Sequence, residues 1–294
     1  MATWIESSII ETVKFLIKEC SSEKPFDGFC GIPARTGDGI YYKGTNIPLL
    51  MMTMEKLGER TALPLFSGFQ SWKNLGYQVK KGGKASFTIL AKGYLRINLE
   101  TGESEKVTGI EEYDPKKYFI KPMLHSVKTF HFSQTNPIEG MDQVLPEPFH
   151  TNRLDDNGYE MQRILQQSYD AALQVIERWH QKYSEAVPMS EAERSFIAKF
   201  GADLAIAHFT GAFRSEQYAK NIVDWLTLTA NTNASRIMRS LSLAYQALVI
   251  IAPEISKKEA VLQEMQEASK LMRQQEHLNP RKEEKVVTRV SLNF

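Results

Sequence analysis

Between Arg60 and Leu99 the chain carries Arg60, Lys73, Lys80, Lys81, Lys84, Lys92 and Arg96 and no acidic residue. Phe66, Phe69, Trp72, Tyr77, Phe87 and Tyr94 are set among them. Cations can follow a phosphate backbone, and flat aromatic faces can stack on unpaired bases. The whole chain of 294 residues has a net charge of only +1, so this concentration of positive charge is local. A solvated charged face over an ordinary aromatic core would show the same pattern. Charge alone leaves both readings open.

Other reactive patterns are missing or incomplete. GYQVKKGGKAS resembles a phosphate loop, but a motif ending at Gly83-Lys84 would need glycine where Gln78 stands and a hydroxyl where Ala85 stands. There is no His-Glu-x-x-His helix and no Gly-x-Ser-x-Gly elbow. The six histidines, His125, His131, His150, His180, His208 and His277, are scattered; only His125 and His131 could share one side of an extended segment. Cys20 and Cys30 have no evident histidine partner and are too few for a disulfide scaffold or a thiolate zinc site. The expectation is a chain with no cofactor and no metal.

These candidates need elements to position them. Residues 5–20 have an apolar stripe of Ile9, Ile10, Val13, Leu16 and Ile17 at helical spacing. PFDGFCGIPARTGDGIYYKGT is loop chemistry, followed by an expected helix over 46–57 that ends at Gly58. A short helix over 67–75, capped by Ser67, and a strand over 85–99 with a bulge at Gly93 come next. Extended chain is expected up to 130–134. Proline and the RLDDNG stretch suggest a linker over 141–158. Beyond it, helices are expected over 157–183, 190–211, 215–229, 231–252 and 254–275, then a tail over 280–294 that could be disordered or add to a sheet edge. No apolar run approaches the ~20 residues that span a bilayer. The N-terminus lacks a signal-peptide pattern and two cysteines suit a reducing compartment, so a cytoplasmic location is expected.

The N-terminal residues resemble the N-terminal domain of ArdC-type antirestriction proteins. The pattern falls on Pro33, Thr36 and Gly37, on Tyr42, Gly44 and Asn46, and on Phe69 and Gln70. It continues on Gly76, Val79, Lys81, Gly82 and Lys84, and ends on Phe130 and Gln134. The family's usual tryptophan ahead of Gln70 is Phe66 or Phe69 here. The resemblance covers about the first 140 residues and implies a domain that binds single-stranded DNA, on plasmid or phage proteins. The helices after the linker resemble, more weakly, that family's zincin-like metallopeptidase domain. Its expected ligand glutamate falls at Lys199, and the helix expected to bear two histidines corresponds to 158–183, which has only His180.

The reading is therefore α+β. A mixed α/β domain over 1–140 binds single-stranded DNA. It is followed by a mostly helical, degenerate metallopeptidase-like domain over 159–279 that is not an enzyme. Phosphate contacts are assigned to Lys73, Lys80, Lys81 and Lys84, with Arg35 and Lys43 as further candidates. Tyr42, Phe69, Trp72 and Tyr77 are stacking candidates. Gln70 and Asn46 could bond to base edges or equally hold the local backbone. Phe66, Phe87 and Val79 are expected in the core. Gly44, Gly76 and Gly82 are expected to shape turns, with Gly82 also able to let the backbone approach a phosphate. The expected role is protection of mobile-element DNA from host defence, with no membrane partner. The alternatives are a protein that inhibits a host defence enzyme through its helices, and an active metallopeptidase.

Overall fold

The computed structural model describes residues 4–36, 39–107, 117–145, 158–183, 188–257 and 260. Gly37, His150 and His277, the tail over 280–294, most of the expected linker and most of the expected last helix lie outside them.

The helical stripe near the N-terminus forms α1, Trp4–Cys20. A loop leads through the two-residue strand β1, Ala34–Arg35, to α2, Asn46–Leu57, which ends on Gly58 as expected. Next come β2, Leu65–Ser67, and α3, Phe69–Asn74. Ser67 belongs to the strand, so the cap position of α3 is Gly68 and not the expected serine. β3, Tyr77–Val79, precedes the long strand β4, Ser86–Asn98, then β5, Ser104–Val107, and β6, Tyr118–His131. A 3-10 turn over Phe132–Gln134 joins β6 to β7, Thr135–Pro137.

The main sheet runs β1-β2-β6-β4-β5, with β3 and β7 paired separately. β4 and β6 form an antiparallel ribbon from Ser86↔Thr129 to Asn98↔Tyr118. Its register shifts between Ala91 and Tyr94, where the sequence suggested a bulge at Gly93. The side chains of Lys92 and Tyr94 lie outside the described set.

Among the described residues there follow α4, Gly158–Lys182; α5, Glu191–Thr210; α6, Lys220–Thr232; and α7, Ala234–Ile251. α6 starts at Lys220 and not at 215, because Ser215 and Tyr218 are drawn into side-chain bonds with Asp203 on α5. α5 packs on α4, α6 and α7, and its buried face is nearly continuous.

Met1–Pro253 is one compact unit and Glu254–Phe294 a second. Within the first unit α1 packs on both α2 and α6. Phe26, fully buried, sets its ring against Phe200, Phe213 and Tyr218 at 5.5–6.4 Å. It holds a left-handed backbone, φ 58°, rare for a bulky residue. Its N–H donates to Glu19 Oε2 at 3.0 Å, and Glu19 is in turn ion-paired to Arg60 at 2.6 Å. Buried ring contacts and a charge-assisted bond thus offset the local strain.

Candidate nucleic-acid interface

The basic loop between β3 and β4 is held from below by one buried side chain. Gln134, 7% exposed, donates from Nε2 to the Lys84 carbonyl at 2.8 Å, and its Oε1 accepts the His131 N–H at 2.9 Å. Its own carbonyl accepts the Lys80 N–H at 2.8 Å, continuing the β3–β7 pairing of Val79 with Thr135. Between these anchors the Gly83 N–H closes a tight turn on the Lys80 carbonyl at 2.9 Å. Gly82 takes φ 84° there, a conformation glycine adopts without a steric penalty. Lys80 bends back, its Nζ donating to the Ser133 carbonyl at 2.6 Å. Lys81 and Lys84 are exposed and, among the described residues, carry no ion pair.

His131 completes the support. Its ring is buried, with Nε2 3.0 Å from the Leu63 carbonyl and Nδ1 2.9 Å from Ser133 Oγ. A carbonyl only accepts, so Nε2 carries the proton and Nδ1 accepts from Ser133. Burial pushes the imidazole below its ordinary pKa, against smaller upward pulls from the Leu63 carbonyl and Glu59.

α3 packs against β3 and β6. Phe69 opens this helix with 58% of its surface exposed, and Lys73, one turn on, is exposed on the same face. Gln70 spends its amide on Asn74, 2.9 Å away. Lys128, outside the acid-free stretch and missed by the sequence reading, is exposed on β6 opposite Phe87. Only the long-range β4–β6 register brings it near the loop.

The structure moves other candidates off this surface. Trp72 is fully buried, its indole N–H donating to the Phe130 carbonyl at 3.0 Å and its ring packed on Tyr77 and Phe132. Tyr77 is buried in the same cluster. Both belong to the core and not to a stacking platform, since α3 packs its Trp72 face against β3 and β6. Asn46 is buried and clamps β4: its Nδ2 donates to the Ile89 carbonyl at 2.8 Å and its Oδ1 accepts the Ile89 N–H at 2.7 Å. Of its two open roles, the structure supports holding the backbone.

Tyr42 is half-buried, its hydroxyl 3.3 Å from the Phe66 carbonyl. Lys43 sits over the Tyr245 ring of α7 at 5.8 Å, and a Cβ on Gly44 would meet Ser242 Oγ at 2.6 Å. The Tyr-Lys-Gly-Thr-Asn segment therefore docks the loop on α7 and β4. Arg35 is exposed on β1, at the far edge of the main sheet. Phe66 is fully buried, whereas Phe87 and Val79 are half-buried. Arg60 and Arg96, both within the acid-free stretch, are paired with Glu19 and Glu55 and with Glu105 respectively, all outside it.

In the helical half, Lys199 Nζ lies 3.0 Å from Asp203 Oδ1 and 3.2 Å from Ser215 Oγ. Ser215 and Tyr218 hydroxyls donate to Asp203 Oδ2 at 2.7 and 2.6 Å. Burial pushes the Asp203 carboxyl up, against the opposing pull of these donors. Burial, and then the charge of Asp203, push the phenol of Tyr218 and the thiol of Cys20 well up. The metallopeptidase resemblance implies a divalent ion near Lys199, and these donors do not fit one. The position of the expected carboxylate holds an ammonium, and three donors already occupy Asp203. Among the described residues no group of three or more His, Cys, Asp or Glu could hold a metal ion. Among them also, no helix is long and apolar enough to cross a membrane.

Residues 2–130 match the model of the N-terminal domain of anti-restriction factor ArdC. No curated protein sequence matches. The crystal structure of the antirestriction ArdC protein from the R388 plasmid, metal-free, shares the fold with TM-score 0.52 at 17% identity, over 85% of this chain and 98% of that one. Its Mn(II)-bound structure aligns with TM-score 0.51 at 17% identity, over 84% and 97%.

Proposed function

With residues 2–130 forming an ArdC-type N-terminal domain, we propose that this chain binds single-stranded DNA with little sequence preference and so shields the DNA of a mobile element from host restriction. Phe69 is the stacking residue. Lys73, Lys81, Lys84 and Lys128 contact phosphates, and Lys80 ties the loop to Ser133. The observation that carries the reading is an exposed aromatic ring one turn from exposed Lys73, in a domain whose exposed Lys81, Lys84 and Lys128 likewise pair with no carboxylate among the described residues. Backbone charge would supply affinity and the ring would accept any base, which suits a protein that must cover arbitrary sequence. The helical half acts as a non-catalytic scaffold.

Titration with matched single- and double-stranded oligonucleotides at several salt concentrations tests this. Four phosphate contacts give a log–log salt slope of roughly −3 for single strands, from about −0.7 per contact. Single strands should bind more tightly than duplex at each salt. A flat salt response, or preference for duplex, overturns the proposal.

A second reading draws on α4, where Tyr169 and Leu173 stand exposed one turn apart, 43% and 54%, beside exposed Asp170 and Glu177. An inhibitor of a host defence enzyme could dock by this face. Short oligonucleotides would not compete with such a complex, whereas they would displace bound DNA.

A further inference from the structure

We propose that Lys199 is the resident cation of the helical half: its ammonium supplies internally the positive charge that a divalent ion would bring, and it closes the Asp203 cluster to metals. This inference is independent of DNA binding.

Asp203 is fully buried and Lys199 nearly so, with 0% and 12% of their side chains exposed. An isolated carboxylate in that setting is costly unless paired and fully hydrogen-bonded. Both oxygens are provided for. Oδ1 takes the ammonium at 3.0 Å, and Oδ2 takes the hydroxyls of Ser215 and Tyr218. The ammonium in turn donates to Ser215 Oγ and lies 5.4 Å from the centre of the Tyr218 ring.

The cluster sits where separate elements meet. Lys199 and Asp203 stand one turn apart on α5, Ser215 and Tyr218 come from the segment before α6, and Cys20 from the end of α1 borders Tyr218. The Tyr218 ring also contacts Phe26 and Phe196, each at 6.4 Å. The hydroxyls of Ser215 and Tyr218 on Asp203 thus tie α5 to the Tyr218 segment, beside α1. A dication approaching Asp203 would face an ammonium about 3 Å from the same oxygen, a strong like-charge repulsion at low dielectric. A carboxylate at position 199 would reverse the balance. Two carboxylates one turn apart, with Ser215 Oγ beside them, are the oxygen donors that hard divalent ions take.

Thermal melting of the full chain, with MnCl2 and with chelator, tests the proposal on wild type, K199M, K199M/D203L and K199E, alongside elemental analysis of bound metal. Wild type should hold no stoichiometric divalent ion and should melt unchanged in either condition. K199M should melt about 10 °C lower, because it strands a buried carboxylate. K199M/D203L should recover more than half of that loss, because the stranded charge is gone. K199E should melt low and gain a saturable upward shift with Mn(II). If K199E does not fold, K199Q replaces it, since the amide removes the charge and offers an oxygen. A saturable Mn(II) shift or a bound ion in wild type overturns the proposal. So do a K199M variant as stable as wild type and a folded K199E, or its K199Q replacement, that ignores Mn(II).

Discussion

Phe69 and Trp72 lie three residues apart on the same short helix, and the structure gives them opposite fates. Phe69 is 58% exposed and Trp72 fully buried. Phe69→Ala removes no core packing, so its stability cost should stay within ~0.5 kcal/mol. If the ring stacks on a base, affinity should fall by about 1–3 kcal/mol, roughly 5- to 150-fold. Trp72→Ala should do the reverse. Truncating a buried aromatic costs about 3–5 kcal/mol, and losing the indole N–H strands the Phe130 carbonyl for about 1–3 kcal/mol more. Domains are stable by only about 5–15 kcal/mol, so that variant should be marginal. Trp72→Phe separates the effects. It keeps a ring but deletes the donor, so the melting temperature should drop while the affinity of the folded protein stays near wild type. Fluorescence anisotropy with a labelled single strand, read beside thermal melting, supplies both numbers. The reasoning fails if Phe69→Ala binds like wild type, or if Trp72→Phe loses affinity at an unchanged melting temperature.

Three further outcomes follow from the same geometry. Lys81→Ala with Lys84→Ala should weaken single-strand binding and flatten the salt slope by about 1.4, with melting unchanged; an unaltered slope would place the DNA elsewhere. Asn46→Leu strands both Ile89 backbone groups and should cost about 2–5 kcal/mol in denaturant titration; a neutral effect would mean the clamp carries no stability. His131 titrates below its ordinary value when folded, so the unfolded chain binds its proton first as pH falls. Its contribution is full above about pH 6.5 and should be lost as pH falls from there through the folded value. Melting curves from pH 7.5 to 5 should show that loss in wild type and not in His131→Gln.

Local signals in the chain were enough for several features. Apolar residues at helical spacing marked α1, Gly58 marked the end of α2, and alternation with Gly93 marked the irregular strand β4. All three cues act through near neighbours along the chain. The lysines of the 80–84 loop were also legible, because charged side chains stay in water wherever the loop is placed. The fates of Trp72, Tyr77 and Asn46 were not. An aromatic ring or an amide suits a ligand or a core equally, and only the packing of α3 on β6 and of Asn46 on β4 decided between them. Lys128 was invisible for a related reason. It joins the basic surface through pairing with Phe87, 41 residues earlier in the chain, a register set by the whole β4–β6 ribbon. The charge pattern misled at Arg60 and Arg96 because their partners, Glu19, Glu55 and Glu105, lie outside the acid-free stretch. Residue types set which contacts are chemically possible. Burial is a property of surfaces brought together by distant segments, so only the folded chain determined which contacts are made.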